Sequence, residues 1–127
     1  GKTLLGLILD NPKYKLVSST CLPGEAEEGI DIGLLVGKKK IEKNLNSDPL
    51  SLFYSSNVII DFTVPEATMF HAKQAWENNV SMVIGTTGLN EDQEKTLLDL
   101  SKKIPIVYAA NFSVSYSLRL VTLSLSC

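Results

Sequence analysis

Four short apolar runs constrain the fold of this chain more than any other feature: Lys15-Leu-Val-Ser-Ser-Thr20, Asn57-Val-Ile-Ile-Asp-Phe62, Ser81-Met-Val-Ile84 and Ile104-Pro-Ile-Val-Tyr108. They are rich in β-branched residues and alternate with helix-like stretches, a pattern that specifies a parallel sheet covered by helices on both faces. The expected class is therefore α/β. Lys2 to Asp10 reads as a helix with Leu4, Leu5 and Ile8 on one side, stopped by Asn11-Pro12. Asp48-Pro49 opens a short helix to about Tyr54. Pro65 suits the first position of a helix that runs to Asn78 and is expected to bury Met69, Ala72, Ala75 and Trp76. Thr63 and Glu66 offer a capping box as an alternative start. Asn90 and Gln93 cap a helix ending near Lys103, and Val114, Leu118, Val121 and Leu125 fall at helical spacing, so a last helix is expected there. Pro23 to Ser47 is poorly patterned, and so long a connection is expected to hide a short strand or turn.

The 127 residues suit one such domain. A net charge of −2 gives no electrostatic reason for nucleic acid or a membrane surface as partner. The run Lys38-Lys39-Lys40, followed by Glu42, reads as a solvated loop. Two distant cysteines, Cys21 and Cys127, make neither a disulfide framework nor a metal-ligand spacing and fit a reducing compartment. Cys21, at a strand end, reads as a small packed residue rather than a reactive thiol. No apolar run reaches the ~18 residues of a bilayer span, and the first residues lack a signal-peptide layout. A soluble, cytoplasmic domain without a metal is the expectation.

In an open parallel sheet, ligands sit beyond the carboxyl ends of the strands. Three loops there have unusual composition: Asp61-Phe62-Thr63, Gly85-Thr86-Thr87-Gly88 and Ala109-Ala110-Asn111-Phe112-Ser113. The two glycines let a ligand approach the backbone. Threonine hydroxyls and amides near a helix start can hold an amide, hydroxyl or phosphate. Ala109 and Ala110 leave room for a planar ring, and Asn111 offers a donor and an acceptor. Singly, Gly-Thr-Thr-Gly reads as a plain strand-to-helix turn and Asn111 as a helix cap; on successive strands the loops together point to a nucleotide site. The one histidine, His71, has no nucleophile or carboxylate at a recognisable catalytic spacing and is expected to pack.

Val-Ile-Ile-Asp-Phe-Thr-Val-Pro-Glu-Ala-Thr (58–68), Val-Ile-Gly-Thr-Thr-Gly (83–88) and Ala-Ala-Asn-Phe-Ser-Val (109–114) occur in this order. The series resembles the N-terminal domain of bacterial dihydrodipicolinate reductases over essentially the whole chain, weakly through 23–47. The resemblance implies a Rossmann-like fold, NADH or NADPH as cofactor, and reduction of dihydrodipicolinate on the way to diaminopimelate and lysine. It also implies a homotetramer for the full-length protein. Gly85, Thr86 and Thr87 would line the nicotinamide and its ribose. Ala109, Ala110, Asn111 and Phe112 would form the other wall, and Phe62 and Thr63 would lie by the pyrophosphate and ribose.

Three departures stand beside the resemblance. The family begins with a strand and a Gly-x-x-Gly-x-Met-Gly loop, and this chain reads as starting at that loop's last glycine, Gly1. Residues 1–127 are therefore expected to be a partial dinucleotide-binding domain with an unpaired gap in mid-sheet. Where the family places an acidic residue for the adenosine ribose, this chain has Cys21 and Leu22. The catalytic histidine and substrate lysine belong to a C-terminal domain that would lie beyond Cys127, so no catalytic residue is assigned here. The chain alone is expected to bind dinucleotides poorly and to reduce nothing. The competing function is a non-catalytic nucleotide- or protein-binding module on a degraded scaffold. A phospho-acceptor role for Asp61 lacks the paired acids and the lysine that chemistry needs.

Overall fold

The computed structural model describes residues 2–21, 23–53, 56–108 and 121–126. Helix α1 (Lys2–Asp10) leads into strand β1 (Tyr14–Thr20), and a short helix α2 (Ile32–Leu35) and a 3-10 turn (Pro49–Phe53) precede β2 (Val58–Asp61). Then come α3 (Pro65–Asn78), β3 (Ser81–Ile84), α4 (Glu91–Leu100), β4 (Ile106–Tyr108) and β5 (Val121–Ser126). The strands form one sheet of order β1-β5-β2-β3-β4 in which every pairing is parallel.

Alternation along β2 divides the core. Ile59, with Met82 and Ile84 of β3, packs under Ala72 and Ala75 of α3 and Leu97 of α4. Val58 and Ile60 point the other way, toward Leu5 and Ile8 of α1 and Ile32 of α2. Helices therefore cover both faces, as the alternation of runs implies. The expected caps form at Asn90, where its side chain and that of Gln93 bond each other's backbone N–H groups. Helix α3 starts with Pro65 after the extended residue Val64; the alternative box at Thr63 does not form, because Asp61 takes that hydroxyl.

Two expectations are corrected. Residues 121–126 are a strand, not a helix: Val121-Thr-Leu-Ser-Leu-Ser126 alternates with period two, and in the sheet that period prevails over the helical spacing of four residues. Because β5 lies between β1 and β2, the expected mid-sheet gap is filled. The rest of the expected last helix lies outside the described residues. In α3 the buried side chains are Thr68, His71, Ala72 and Ala75. Trp76 is instead 38% exposed, with the Lys103 ammonium 4.1 Å from its ring centre. The buried stripe is rotated from the purely apolar one toward polar residues, and the site below explains why.

The stretch 23–47 is organised by one carboxylate. Asp31 caps α2, its Oδ1 accepting from the backbone N–H of Gly33, Leu34 and Ile41 and its Oδ2 from Glu42 at 2.7 Å. Burial raises the Asp31 pKa, but the four N–H donors outweigh it and hold the carboxyl below its ordinary 3.8. A depressed folded-state value stabilises the fold above the unfolded pKa, and that contribution disappears as pH falls through the folded one. The stability gap between the parent and Asp31→Asn is thus expected to be full at neutral pH and to narrow only below 3.8. Thermal unfolding followed as the solution is acidified measures it; a gap independent of pH would show that the carboxylate charge is not what organises the loop.

Candidate functional site

The carboxyl ends of β2 and β3 close over a buried polar network. Asp61 ends β2 with no exposed surface. Its Oδ1 accepts from the Thr63 backbone N–H at 3.0 Å and from the Thr63 hydroxyl at 2.6 Å, and its Oδ2 meets His71 Nδ1 at 2.9 Å. Thr68 Oγ1 lies 3.3 Å from Thr63 Oγ1 and 2.6 Å from Thr86 Oγ1, which also accepts from the Thr63 N–H. The hydroxyl protons can thus run in one direction, Thr86 to Thr68 to Thr63 to Asp61, each bond polarising the next. This is why α3 turns Thr68 and His71 inward: a carboxyl at the end of a buried strand needs donors. His71 is buried, as expected of a packing residue, and in addition bonds a carboxylate. Its carboxylate partner is ten residues away across a strand end, a loop and a helix start, where no sequence spacing announces it. With both oxygens engaged inside, Asp61 is also closed to phospho-transfer.

The Gly85-Thr86-Thr87-Gly88 loop continues β3. Gly85 donates its backbone N–H to the Asp61 carbonyl at 2.8 Å, and a Cβ there would overlap the Phe62 ring. Gly88 has φ +86°, which favours glycine. Thr87 is exposed, whereas Thr86 is 2% exposed and spends its hydroxyl inside the network. Of the residues expected to face a ligand, Phe62 and Thr63 do line a cavity, Gly85 backs Phe62, and Thr86 offers no free hydroxyl. Ala109, Ala110, Asn111 and Phe112 lie outside the described residues.

That cavity holds about 650 Å3 and opens at the carboxyl ends of β1 and β2, within the roughly 300–1,000 Å3 of small-molecule sites. Its apolar wall is Pro23, Pro49, Phe62, Val64, Ala67 and Phe70; Thr20, Cys21, Ser47, Thr63, Glu66 and His71 supply the polar part. Asn46 fixes the wall nearest β1: its carbonyl accepts from the Cys21 N–H at 2.8 Å and its side chain from the Asp48 N–H at 2.9 Å. Val64 and Phe70 are 58% and 44% exposed at the rim, apolar surface of the kind that ligands cover. Sequence reading missed Val64, Ala67 and Phe70. Their three-residue spacing from the residue before α3 into its first turns, offset from the core stripe, was the signal available. Among the described residues no group of three or more His, Cys, Asp or Glu could hold a metal ion, and no helix is long and apolar enough to cross a membrane.

Comparison with known proteins agrees with the family resemblance. The family model described as "Dihydrodipicolinate reductase, N-terminus" matches residues 1–112. A 4-hydroxy-tetrahydrodipicolinate reductase of Psychrobacter arcticus is 35% identical over 99% of the chain and 45% of that relative. Proteins of the same name from Chromohalobacter salexigens and Cupriavidus necator are 33% and 37% identical over 94% and 90% of the chain. The chain spans a little under half the length of these relatives.

Proposed function

This chain belongs to the family of dihydrodipicolinate reductase N-terminal domains, and on that premise we propose that it is the cofactor-binding part of an NAD(P)H-dependent reductase of dihydrodipicolinate. The cavity at the carboxyl ends of β1 and β2 carries the reading. It lies where a parallel sheet of this kind takes a dinucleotide, and Gly85 leaves room for the Phe62 ring that lines it. A reduced nicotinamide, when bound, supplies the hydride. The chain's own residues would position it: Phe62 and Thr63 from the cavity wall, Gly85 and Thr87 from the next loop, Thr86 through its backbone rather than its hydroxyl. Ala109, Ala110, Asn111 and Phe112 complete the proposed set. Substrate-binding and proton-donating groups are assigned to a C-terminal domain. The whole protein is proposed to be a cytoplasmic homotetramer of diaminopimelate and lysine biosynthesis, with no nucleic acid or membrane partner.

Calorimetric titration tests the reading. NADH is expected to bind residues 1–127, more weakly than micromolar, without turnover of dihydrodipicolinate. Gly85→Ala, by pushing Phe62 aside, is expected to weaken binding on the order of tenfold. Absence of NADH binding would favour the non-catalytic module instead. Turnover above the uncatalysed rate would show that the proton donor lies within this chain.

A further inference from the structure

The sheet brings the sequence neighbours of the chain's two cysteines together, although the cysteines are far apart in the chain. In the parallel pairing of β1 with β5, Thr20 stands opposite Ser126. Cys21 and Cys127 are the residues that follow them. The Cys21 backbone is fixed from the other edge of β1, where its N–H donates to the Asn46 carbonyl at 2.8 Å. Cys127 lies outside the described residues, but one peptide step ties it to Ser126. Successive Cα atoms are about 3.8 Å apart and neighbouring strands about 4.8 Å. The Cα atoms of residues 21 and 127 therefore lie within roughly 12 Å, and within about 5 Å where both chains run on in register. A disulfide spans Cα separations of about 4.4–6.8 Å.

We propose that Cys21 and Cys127 form a disulfide under oxidising conditions and so clasp β5 to β1. This seam has the most to gain from a clasp. Of the four described strand pairings it alone shifts register, between Leu16 and Ser18. On β1 the Ser19 hydroxyl is buried with no hydrogen-bond partner among the described residues, an arrangement that costs stability. The bridge would close a loop of roughly a hundred residues, and longer loops gain more from a cross-link. Cys21 is a half-buried thiol that lines the cavity, so a small oxidant can reach it. The oxidant is a low-molecular-weight disulfide such as oxidised glutathione. One cysteine thiolate attacks a sulfur of that disulfide and releases the first small thiol; the other cysteine then displaces the second. Two protein thiols are oxidised to the bridge, and one small disulfide is reduced to two thiols that carry away the cysteine protons. In a reducing compartment the bridge opens again, which makes it a redox-responsive clasp rather than a permanent staple.

The test incubates the reduced chain, at high dilution, with oxidised glutathione and reads intact mass, peptide map and thermal unfolding. The expected product is a monomer lighter by two hydrogens. Digested without reductant, it should keep the peptides of Cys21 and Cys127 joined. Its melting temperature is expected to rise by on the order of 10 °C and to fall back with dithiothreitol. Cys21→Ser and Cys127→Ser should each abolish that rise. In urea, where the strands no longer align the pair, the bridge should form about tenfold more slowly or worse. Thiols that stay reduced, glutathione adducts without a bridge, or disulfide-linked dimers in place of the monomer overturn the proposal. So does a bridged monomer that melts no higher than the reduced chain, or one that forms as fast in urea as in buffer.

Discussion

Asp61→Ala is expected to cost about 3–5 kcal/mol of folding stability, the range for removing one member of a buried, hydrogen-bonded pair. The substitution removes the carboxylate that accepts from the Thr63 hydroxyl and meets His71 Nδ1, and leaves the Thr63 N–H only its longer bond to Thr86 Oγ1. Thr68 and Thr86 lose the group toward which their hydroxyl protons run. For a domain with the 5–15 kcal/mol of stability usual for its class, this is a large share of the whole. Asp61→Asn separates the causes. Its carbonyl can still accept from Thr63, and its amide can donate to a neutral His71 ring whose proton sits on the other nitrogen. Urea unfolding should therefore rank parent, then Asn, then Ala. A midpoint for Asp61→Ala equal to the parent's would mean that the network contributes nothing to the fold.

Gly33→Ala is expected to destabilise by about 1–3 kcal/mol or more, although its backbone is ordinary. The new Cβ would run into the carbonyl of Lys39, which cannot turn aside as a side chain could. That carbonyl is held in place because Lys38 donates its N–H to Gly33 and Ile41 donates to Asp31. Gly6, in α1, supplies the control: a Cβ there meets only the Lys38 side chain at 3.7 Å. Gly6→Ala is expected to stabilise by about 0.5–1 kcal/mol through helix propensity. Opposite signs in the two unfolding midpoints are the expected result. Equal shifts would show that the contact at Gly33 relaxes freely.

What was readable in the sequence and what was not divide along a physical line. Helix α1, strands β1 to β4 and the Asn90 cap follow from periodicity and side-chain chemistry acting within a few residues, and they stand where the pattern puts them. Residues 121–126 carry both a helical and a strand period, and the choice between them depends on strands far away in sequence. Asp31 has no local signature either, because two of its four donors come from residues 41 and 42. At the site, Phe62, Thr63 and Gly85 were legible as loop composition next to strand ends. The inward turn of Thr86 and the pairing of His71 with Asp61 were not, since both arise where two strands and a helix meet.

The interior position of β5, between β1 and β2, also sets an order of events as the chain folds. Strands β2, β3 and β4 are neighbours both in sequence and in the sheet, so a nascent chain can assemble them through short loop closures. Strand β1 precedes β2, β3 and β4 in the chain, yet among the described strands it pairs only with β5, which follows all four of its sheet-mates. Until then β1 and β2 each expose an unpaired edge. Such non-local pairing slows folding and lengthens the exposure to wrong partners. The step that joins the two parts of the sheet is also the one that brings the cavity walls at Thr20 and Phe62 to their final spacing, so the cavity is completed last.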